Sequence, residues 1–159
     1  MTIQAGDTIP SVDLRIMCSK GPELINSRDY FDGCRVVMFA VPGAFTPTCS
    51  ARHLPGYIDL AGDFFASDVD KLACLSVNDA FVMDAWGKSA GADRIDMLAD
   101  GNADFVKALG LESDSSEWGM GIRSRRFAMI ADEGEVTSIF VEQAGEFRVS
   151  SAEHVLANL

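Results

Sequence analysis

The segment best suited to chemistry is Thr46-Pro47-Thr48-Cys49, which follows the apolar run 34–41. Threonine is a good helix N-cap and proline fits the first helical position, so the pattern predicts a helix whose third residue is Cys49. The unpaired N–H groups and the helix dipole at such a start favour a thiolate over a thiol. A thiolate is a nucleophile, which makes Cys49 a candidate catalytic residue.

Each residue near this helix start also has a purely structural interpretation. Cys49 could be a small apolar residue, and the hydroxyl of Thr46 could simply accept the Cys49 backbone N–H as a cap. His53 lies four residues beyond Cys49 on the same helical face and could tune the thiolate. Because Pro55-Gly56 disturbs the helix nearby, we favour packing for His53. Spacing alone leaves both interpretations of Cys49 and Thr46 open.

Strand and helix patterns alternate along the chain and would position this thiol. The predicted order is a strand at 12–16, a turn at 20–22, a strand at 34–41, a helix to about 66, a strand at 71–77, a helix capped by 78–79, a strand at 95–99, a short helix at 103–109, strands at 127–131 and 136–141 around a hairpin turn, and a terminal helix opened by a capping box at 150–153. The run 34–41 is typical of a central strand buried on both faces. This order predicts an α/β fold, a thioredoxin-like three-layer sandwich whose central mixed β-sheet is flanked by helices.

The composition indicates one acidic domain spanning residues 1–159. This length is enough for a continuous core, and the net charge of -11 disfavours nucleic acid and anionic membranes as partners. The first residues lack the basic and apolar regions of a secretory signal, and no segment is apolar for long enough to span a membrane. We therefore expect a cytoplasmic protein.

Several longer stretches place the thiol in a known context. Pro42, Thr46 and Cys49 form a P-x-x-x-T-x-x-C pattern, accompanied by PGAFTPTCS, HLPGY, CLSVNDAFVMDAW, LADGNADF, GIRSRRFAMI and GEFRVSSAEHVL. In order and spacing these stretches resemble the type II, or fifth-class, peroxiredoxins across nearly the whole chain. The resemblance implies a thioredoxin-like fold, a homodimer, and reduction of hydrogen peroxide and alkyl hydroperoxides at a peroxidatic Cys49 without metal, haem or flavin.

The resemblance also implies roles for three further residues. Arg126 would reach Cys49 from the mouth of a late strand, where its charge would favour the thiolate and bind the peroxide oxygens. Thr46 would orient the peroxide through its hydroxyl, and Pro42 would shield the sulfur from water. An exposed arginine and an ordinary strand-ending proline are the structural alternatives. Arg123 is a weaker candidate than Arg126.

The step that follows oxidation of Cys49 has two possible routes. In plant-like members of the family a second redox cysteine lies at the position of Cys74, so the resemblance implies a Cys49–Cys74 disulfide. A helix over 49–66 would descend about 27 Å while strand residues 71–74 climb back only about 13 Å, so the helix start would have to unwind first. The alternative makes Cys74 a core residue and assigns the reduction to glutaredoxin, glutathione or thioredoxin.

The remaining candidates carry less weight. We interpret Cys18 and Cys34 as structural, and expect core or subunit-contact roles for Phe45, Phe81 and Trp86, with Trp86 also able to wall the pocket.

Three other functions fit the residues less well. A general thiol–disulfide oxidoreductase would need a C-x-x-C motif, but position 46 is threonine. A redox-sensing binding protein or holdase would use the same sulfenic acid without turnover. A metal site on Cys49, His53 and Cys74 would have only three candidate ligands.

Overall fold

The computed structural model describes all residues, 1–159, and its main sheet has seven strands. The elements are β1 (Asp13–Cys18), β2 (Gly21–Asn26), α1 (Ser27–Phe31), β3 (Arg35–Val41), a π-helical turn (Cys49–His53) that continues into α2 (Leu54–Ala66), β4 (Lys71–Ser76), α3 (Ala80–Ala90), β5 (Asp96–Ala99), α4 (Asp104–Leu109), β6 (Glu112–Asp114), a 3-10 turn (Ser116–Trp118), β7 (Ile122–Ser124), β8 (Phe127–Asp132), β9 (Glu135–Val141) and α5 (Ala152–Ala157). The strand order is β2-β1-β5-β4-β3-β8-β9, and β6 pairs with β7 in a separate ribbon.

β3 is central because it is apolar on both faces. It pairs in parallel with β4 and antiparallel with β8, so it has no free edge. Phe39 and its alternate neighbours face a core shared with α2, α3 and α5, while Met38 and its neighbours face a second core shared with α1 and α4. The predicted three-layer sandwich with a central mixed sheet is confirmed.

Some elements were not predicted, and one cap was misplaced. Gly21-Pro22 begins β2, which tolerates proline because β2 lies at the edge of the sheet; the turn falls at Ser19-Lys20 instead. Helix α1 and strands β6 and β7 are too short to show a clear period. Helix α5 is capped by Ser151, whose hydroxyl accepts the N–H of His154, because the Ser150 side chain is engaged elsewhere.

The topology sets the location of the thiol. The antiparallel register pairs Ala40 near the end of β3 with Phe127 at the start of β8. The residue before β8 and the loop after β3 therefore lie next to each other, where these two strands end. No helix in the structure is both long and apolar enough to cross a membrane.

Candidate active site

The loop between β3 and the helix is held in a tight, partly strained path. Phe45 adopts a left-handed backbone with φ of 63°, which is unfavourable for a residue with a side chain and is often found near functional sites. A Cβ on Gly43 would come within 3.0 Å of Thr46 Cγ2, so the close turn favours glycine. The Asn78 side chain fixes the loop by accepting the backbone N–H of Ala44 at 3.0 Å. Together these contacts hold the start of the helix in one place.

Cys49 lies in the first turn of that helix, as predicted. Pro47 is the first helical residue and Cys49 is the third, and its side chain is fully buried. The backbone N–H groups of Thr48 and Cys49 donate to no acceptor in the protein. These two donors can therefore bind an oxygen that approaches the sulfur.

Arg126 is the cation at this sulfur. Its Nη2 donates to Cys49 Sγ at 3.2 Å and its Nη1 donates to Nδ1 of His53 at 2.8 Å. The antiparallel pairing of β3 and β8 brings Arg126 next to Cys49, although the two residues are 77 positions apart in the sequence. A guanidinium at this distance can donate a charge-assisted hydrogen bond to a deprotonated sulfur.

His53 fixes the arginine as well as packing in the core. It is fully buried against the rings of Phe39 and Tyr57, and its Nε2 contacts the Ser150 carbonyl at 3.0 Å. Burial, followed by the positive charge of Arg126, lowers the pKa of His53 to about 3. The neutral ring therefore donates from Nε2 to Ser150 and accepts from Arg126 at Nδ1. The helical spacing from Cys49 allowed His53 to tune the thiolate, and Pro55-Gly56 made packing the favoured interpretation, but neither feature gave a sign of the contact with Arg126.

Thr46 directly precedes the helix that carries Cys49, but its hydroxyl does not cap that helix. It donates to the Gly43 carbonyl at 2.7 Å, and only the Thr46 backbone carbonyl takes part in the helix, accepting Ser50 N–H at 2.9 Å. The proposed side-chain cap of the Cys49 amide is therefore wrong. Because the hydroxyl proton is committed to Gly43, the oxygen lone pairs can accept a hydrogen bond from the O–H group of a bound peroxide.

A polar groove of about 620 Å³ opens beside this group of residues. Pro42, Thr48 and Arg126 line it, together with Trp118 and residues 142–146. Pro42 therefore borders the groove directly after β3, and its shielding of the sulfur stays a prediction from the resemblance.

Cys74 lies in the core on the same side of the sheet as Cys49. It belongs to the central strand β4, opposite Phe39 of β3, and has no exposed surface. Burial, with a smaller contribution from Cys49, raises the pKa of the Cys74 thiol well above its ordinary value. Both cysteines are free thiols, so the structure describes the state without a disulfide.

The other candidates lie outside the reaction site. Arg123 donates to the backbone carbonyls of Met120 and Val77 at 2.8 and 3.0 Å, which ties loops together. Cys34 is partly buried, whereas Cys18 lies at the end of β1, as a residue at a strand edge should, but is exposed and does not pack as a small apolar residue.

The aromatic candidates divide between core and surface. Trp86 is buried and donates to Ser50 Oγ at 3.0 Å, which supports the helix start, whereas Phe45 and Phe81 are exposed. No group of three ligating side chains, including the set of Cys49, His53 and Cys74, could hold a metal ion.

Comparisons with known proteins agree with this geometry. The Redoxin family model matches residues 4–156. Peroxiredoxin-2C of Oryza sativa subsp. japonica is 45% identical over 159 residues, covering 99% of this chain and 98% of the relative. The reduced Prx3 of Vibrio vulnificus in complex with H2O2 is 52% identical with a TM-score of 0.96, covering 99% of both chains. Its oxidised form is 53% identical with a TM-score of 0.92, covering 100% of both chains. This chain therefore belongs to the Redoxin family as a type II peroxiredoxin, a thiol-dependent peroxidase.

Proposed function

We propose that Cys49 is the peroxidatic residue, that it reduces hydrogen peroxide and small alkyl hydroperoxides, and that an external thiol regenerates it. The observation that carries the proposal is the contact of 3.2 Å between Arg126 Nη2 and Cys49 Sγ at the start of a helix. It supports a stabilised thiolate, and the Vibrio vulnificus relative is described as a reduced protein in complex with hydrogen peroxide.

In the proposed reaction Cys49 is the nucleophile, and the groups around it bind the peroxide. The Cys49 thiolate attacks one peroxide oxygen, the O–O bond breaks, and the second oxygen leaves with its electron pair to become water or an alcohol after protonation. Cys49 becomes a sulfenic acid. Arg126 and the free N–H groups of Thr48 and Cys49 stabilise charge on the oxygens, and the Thr46 hydroxyl oxygen accepts a hydrogen bond from the peroxide O–H. That proton stays on the oxygen transferred to Cys49, and a proton from solvent completes the water or alcohol. Pro42 limits the access of water to the sulfur.

Burial of Cys74 supports the external route for the second half of the cycle. A resolving thiol must be a thiolate and must reach the sulfenic acid, but Cys74 lies inside a central strand and its pKa is raised by burial. In the external route, a thiol from glutathione, glutaredoxin or thioredoxin attacks Cys49, releases water and forms a mixed disulfide. A second thiol then restores Cys49. The groove next to Pro42 and Arg126 gives such a thiol access to the site.

Turnover with each reductant separately tests this cycle. Hydrogen peroxide consumption is measured with glutathione, glutaredoxin and thioredoxin supplied one at a time, for the parent and for Cys74→Ala. We expect at least one reductant to support turnover, and Cys74→Ala to turn over like the parent. A disulfide between residues 49 and 74 in the oxidised parent, together with loss of turnover in Cys74→Ala, would instead assign resolution to Cys74.

The homodimer implied by the family is also part of the proposal. Phe45 and Phe81 are 55% and 66% exposed, although large aromatic side chains are usually covered. A second copy of the chain would bury this apolar surface. Sedimentation of the parent should give the mass of a dimer, and replacement of Phe45 and Phe81 by serine should give a monomer; a monomeric parent would contradict the proposal.

A further inference from the structure

Glu142 is a buried carboxylate for which the reaction has no direct use. It directly follows β9 and is only 3% exposed. Its backbone N–H donates to the Arg126 carbonyl at 3.0 Å, so it continues the pairing of β8 with β9 opposite the arginine. A charged group with so little exposure is costly unless hydrogen bonds compensate it, which makes the contacts of its side chain informative.

The Glu142 side chain holds the loop that leads to α5. One oxygen, Oε2, accepts the backbone N–H of Arg148 at 2.7 Å, the backbone N–H of Ser150 at 2.8 Å and the Ser150 hydroxyl at 2.7 Å. Burial raises the pKa of this carboxyl, but the hydrogen bonds from Ser150 and the neighbouring amides outweigh it, so the pKa is lowered. The carboxylate is therefore charged at neutral pH.

Ser150 connects this loop to the peroxidatic site. Its carbonyl accepts two hydrogen bonds, from His53 Nε2 at 3.0 Å and from the Tyr57 hydroxyl at 2.8 Å. The first bond fixes the tautomer of His53, so that Nδ1 presents a lone pair to Arg126 at 2.8 Å. Arg126 then has one nitrogen committed to His53 and another directed at Cys49.

The same loop covers the histidine and the arginine with an aromatic ring. The Phe147 ring lies 4.9 Å from the His53 ring, and the Arg126 guanidinium lies 5.9 Å from its centre. The Arg52 guanidinium stacks on the same ring at 4.7 Å. Loss of the anchor at Glu142 would therefore release both the carbonyl of Ser150 and the cover supplied by Phe147.

We propose that Glu142 is a positioning residue for the thiolate: it anchors residues 148–150 so that the Ser150 carbonyl orients His53, and His53 in turn holds Arg126 against Cys49. Glu142 acts through Arg126 and contacts no reacting atom. This inference rests on the proposed role of Cys49.

The test compares Glu142→Ala and Glu142→Gln with the parent. The first readout is the pH dependence of alkylation at Cys49, followed by mass spectrometry of its peptide, which reports thiolate formation without needing peroxidase activity. The second readout is the rate of Cys49 oxidation by hydrogen peroxide. In Glu142→Ala we expect the alkylation midpoint to move to higher pH and oxidation to slow roughly tenfold, as for a weakened charge-assisted hydrogen bond. Glu142→Gln, which keeps an acceptor oxygen, should be intermediate and carries the test if the alanine variant does not fold.

Asp100 provides the matched control. It is also a buried carboxylate, 2% exposed, that accepts two backbone N–H groups, from Phe105 and Val106, but it serves α4 on the opposite face of the sheet. Asp100→Ala should lower the free energy of unfolding without moving the alkylation midpoint of Cys49.

A double variant separates positioning from general destabilisation. If Glu142 acts through Arg126, Glu142→Ala should slow oxidation no further once Arg126 is already alanine. The proposal is overturned if Glu142→Ala, or Glu142→Gln in its place, alkylates and oxidises like the parent, or if the Glu142 and Arg126 effects multiply. Alkylation of Cys49 does not depend on turnover, so its pH dependence tests the role of Glu142 even if Cys49 proves not to be the peroxidatic residue.

Discussion

The sulfur of Cys49 accepts a hydrogen bond from a guanidinium and lies at a helix start with two free backbone N–H groups, and these two kinds of donor differ in charge. Arg126 supplies a full charge, whereas the N–H groups of Thr48 and Cys49 supply partial charges from the helix start. The guanidinium should therefore contribute most to the thiolate and to charge on the leaving oxygen.

Replacement of Arg126 tests this ranking. In Arg126→Ala we expect Cys49 oxidation by hydrogen peroxide to slow about 100-fold, because a preorganised donor at the reacting atoms is lost. Arg123→Ala is the matched control, since Arg123 lies three residues away and donates only to loop carbonyls. Stopped-flow measurement of both variants decides the matter, and equal losses would show that Arg126 has no special role.

His53 makes a separate prediction about stability and pH. Its pKa is lowered to about 3 in the folded chain by burial and by Arg126, whereas an unfolded histidine titrates near 6.5. Between these two values the unfolded state therefore binds about one more proton than the folded state. The free energy of unfolding should fall by about 1.4 kcal/mol when the pH drops from 5.5 to 4.5.

Urea unfolding across that pH interval measures this contribution. In His53→Gln the decrease per pH unit should be smaller than in the parent by about the same 1.4 kcal/mol, because glutamine does not titrate. Carboxylates elsewhere affect parent and variant alike. Identical slopes in the two proteins would show that His53 is protonated to the same extent in the folded and unfolded states.

Sequence reasoning recovered only part of the site at this scale. Helix-start chemistry made Cys49 a candidate, and the family pattern identified both Cys49 and Arg126. His53 was within view, but its bond to Arg126 depends on a carbonyl 97 residues away at Ser150. Glu142 carried no local signal, because a glutamate at the end of a strand usually lies in solvent.

At the scale of elements, the long periodic segments were predictable and the short ones were not. Strand β3 and helices α2 and α3 have clear apolar patterns, whereas β6 and β7 have three residues each. The π-helical turn at Cys49–His53 had no sequence signature. It places His53 and Cys49 where both contact Arg126, and π turns of this kind recur at functional sites.

Gly110 provides a test of how one helix end is built. It closes α4 with a φ of 71°, and a Cβ there would overlap the carbonyl of Met1. Gly91 closes α3 with nearly the same φ, 73°, but has open space around it. Gly91→Ala should cost about 1 kcal/mol of unfolding free energy from backbone strain alone, and Gly110→Ala clearly more. Equal losses in chemical denaturation would mean that the first residues yield without cost.

At the scale of the whole molecule, the sheet order explains why distant residues form one site. β3 lies between β4 and β8 in the sheet. Cys49 after β3, Arg126 before β8 and the Ser150 carbonyl before α5 therefore meet beyond the same ends of these strands. The prediction of a thioredoxin-like sandwich already implied the meeting of Cys49 and Arg126. The conformation of the segment between β9 and α5 was not predictable, because one buried carboxylate, that of Glu142, holds it.

The central claim is that Cys49 alone among the four cysteines reacts with peroxide, and single-turnover consumption of hydrogen peroxide by the reduced protein tests it most directly. Serine variants of Cys49, Cys18, Cys34 and Cys74 are each compared with the parent, with circular dichroism as the check on folding. We predict that the parent and the last three variants rapidly consume peroxide while forming a sulfenic acid at Cys49, and that folded Cys49→Ser consumes none at that rate. Rapid consumption by Cys49→Ser, or loss of consumption in one of the other variants while it remains folded, would contradict the account.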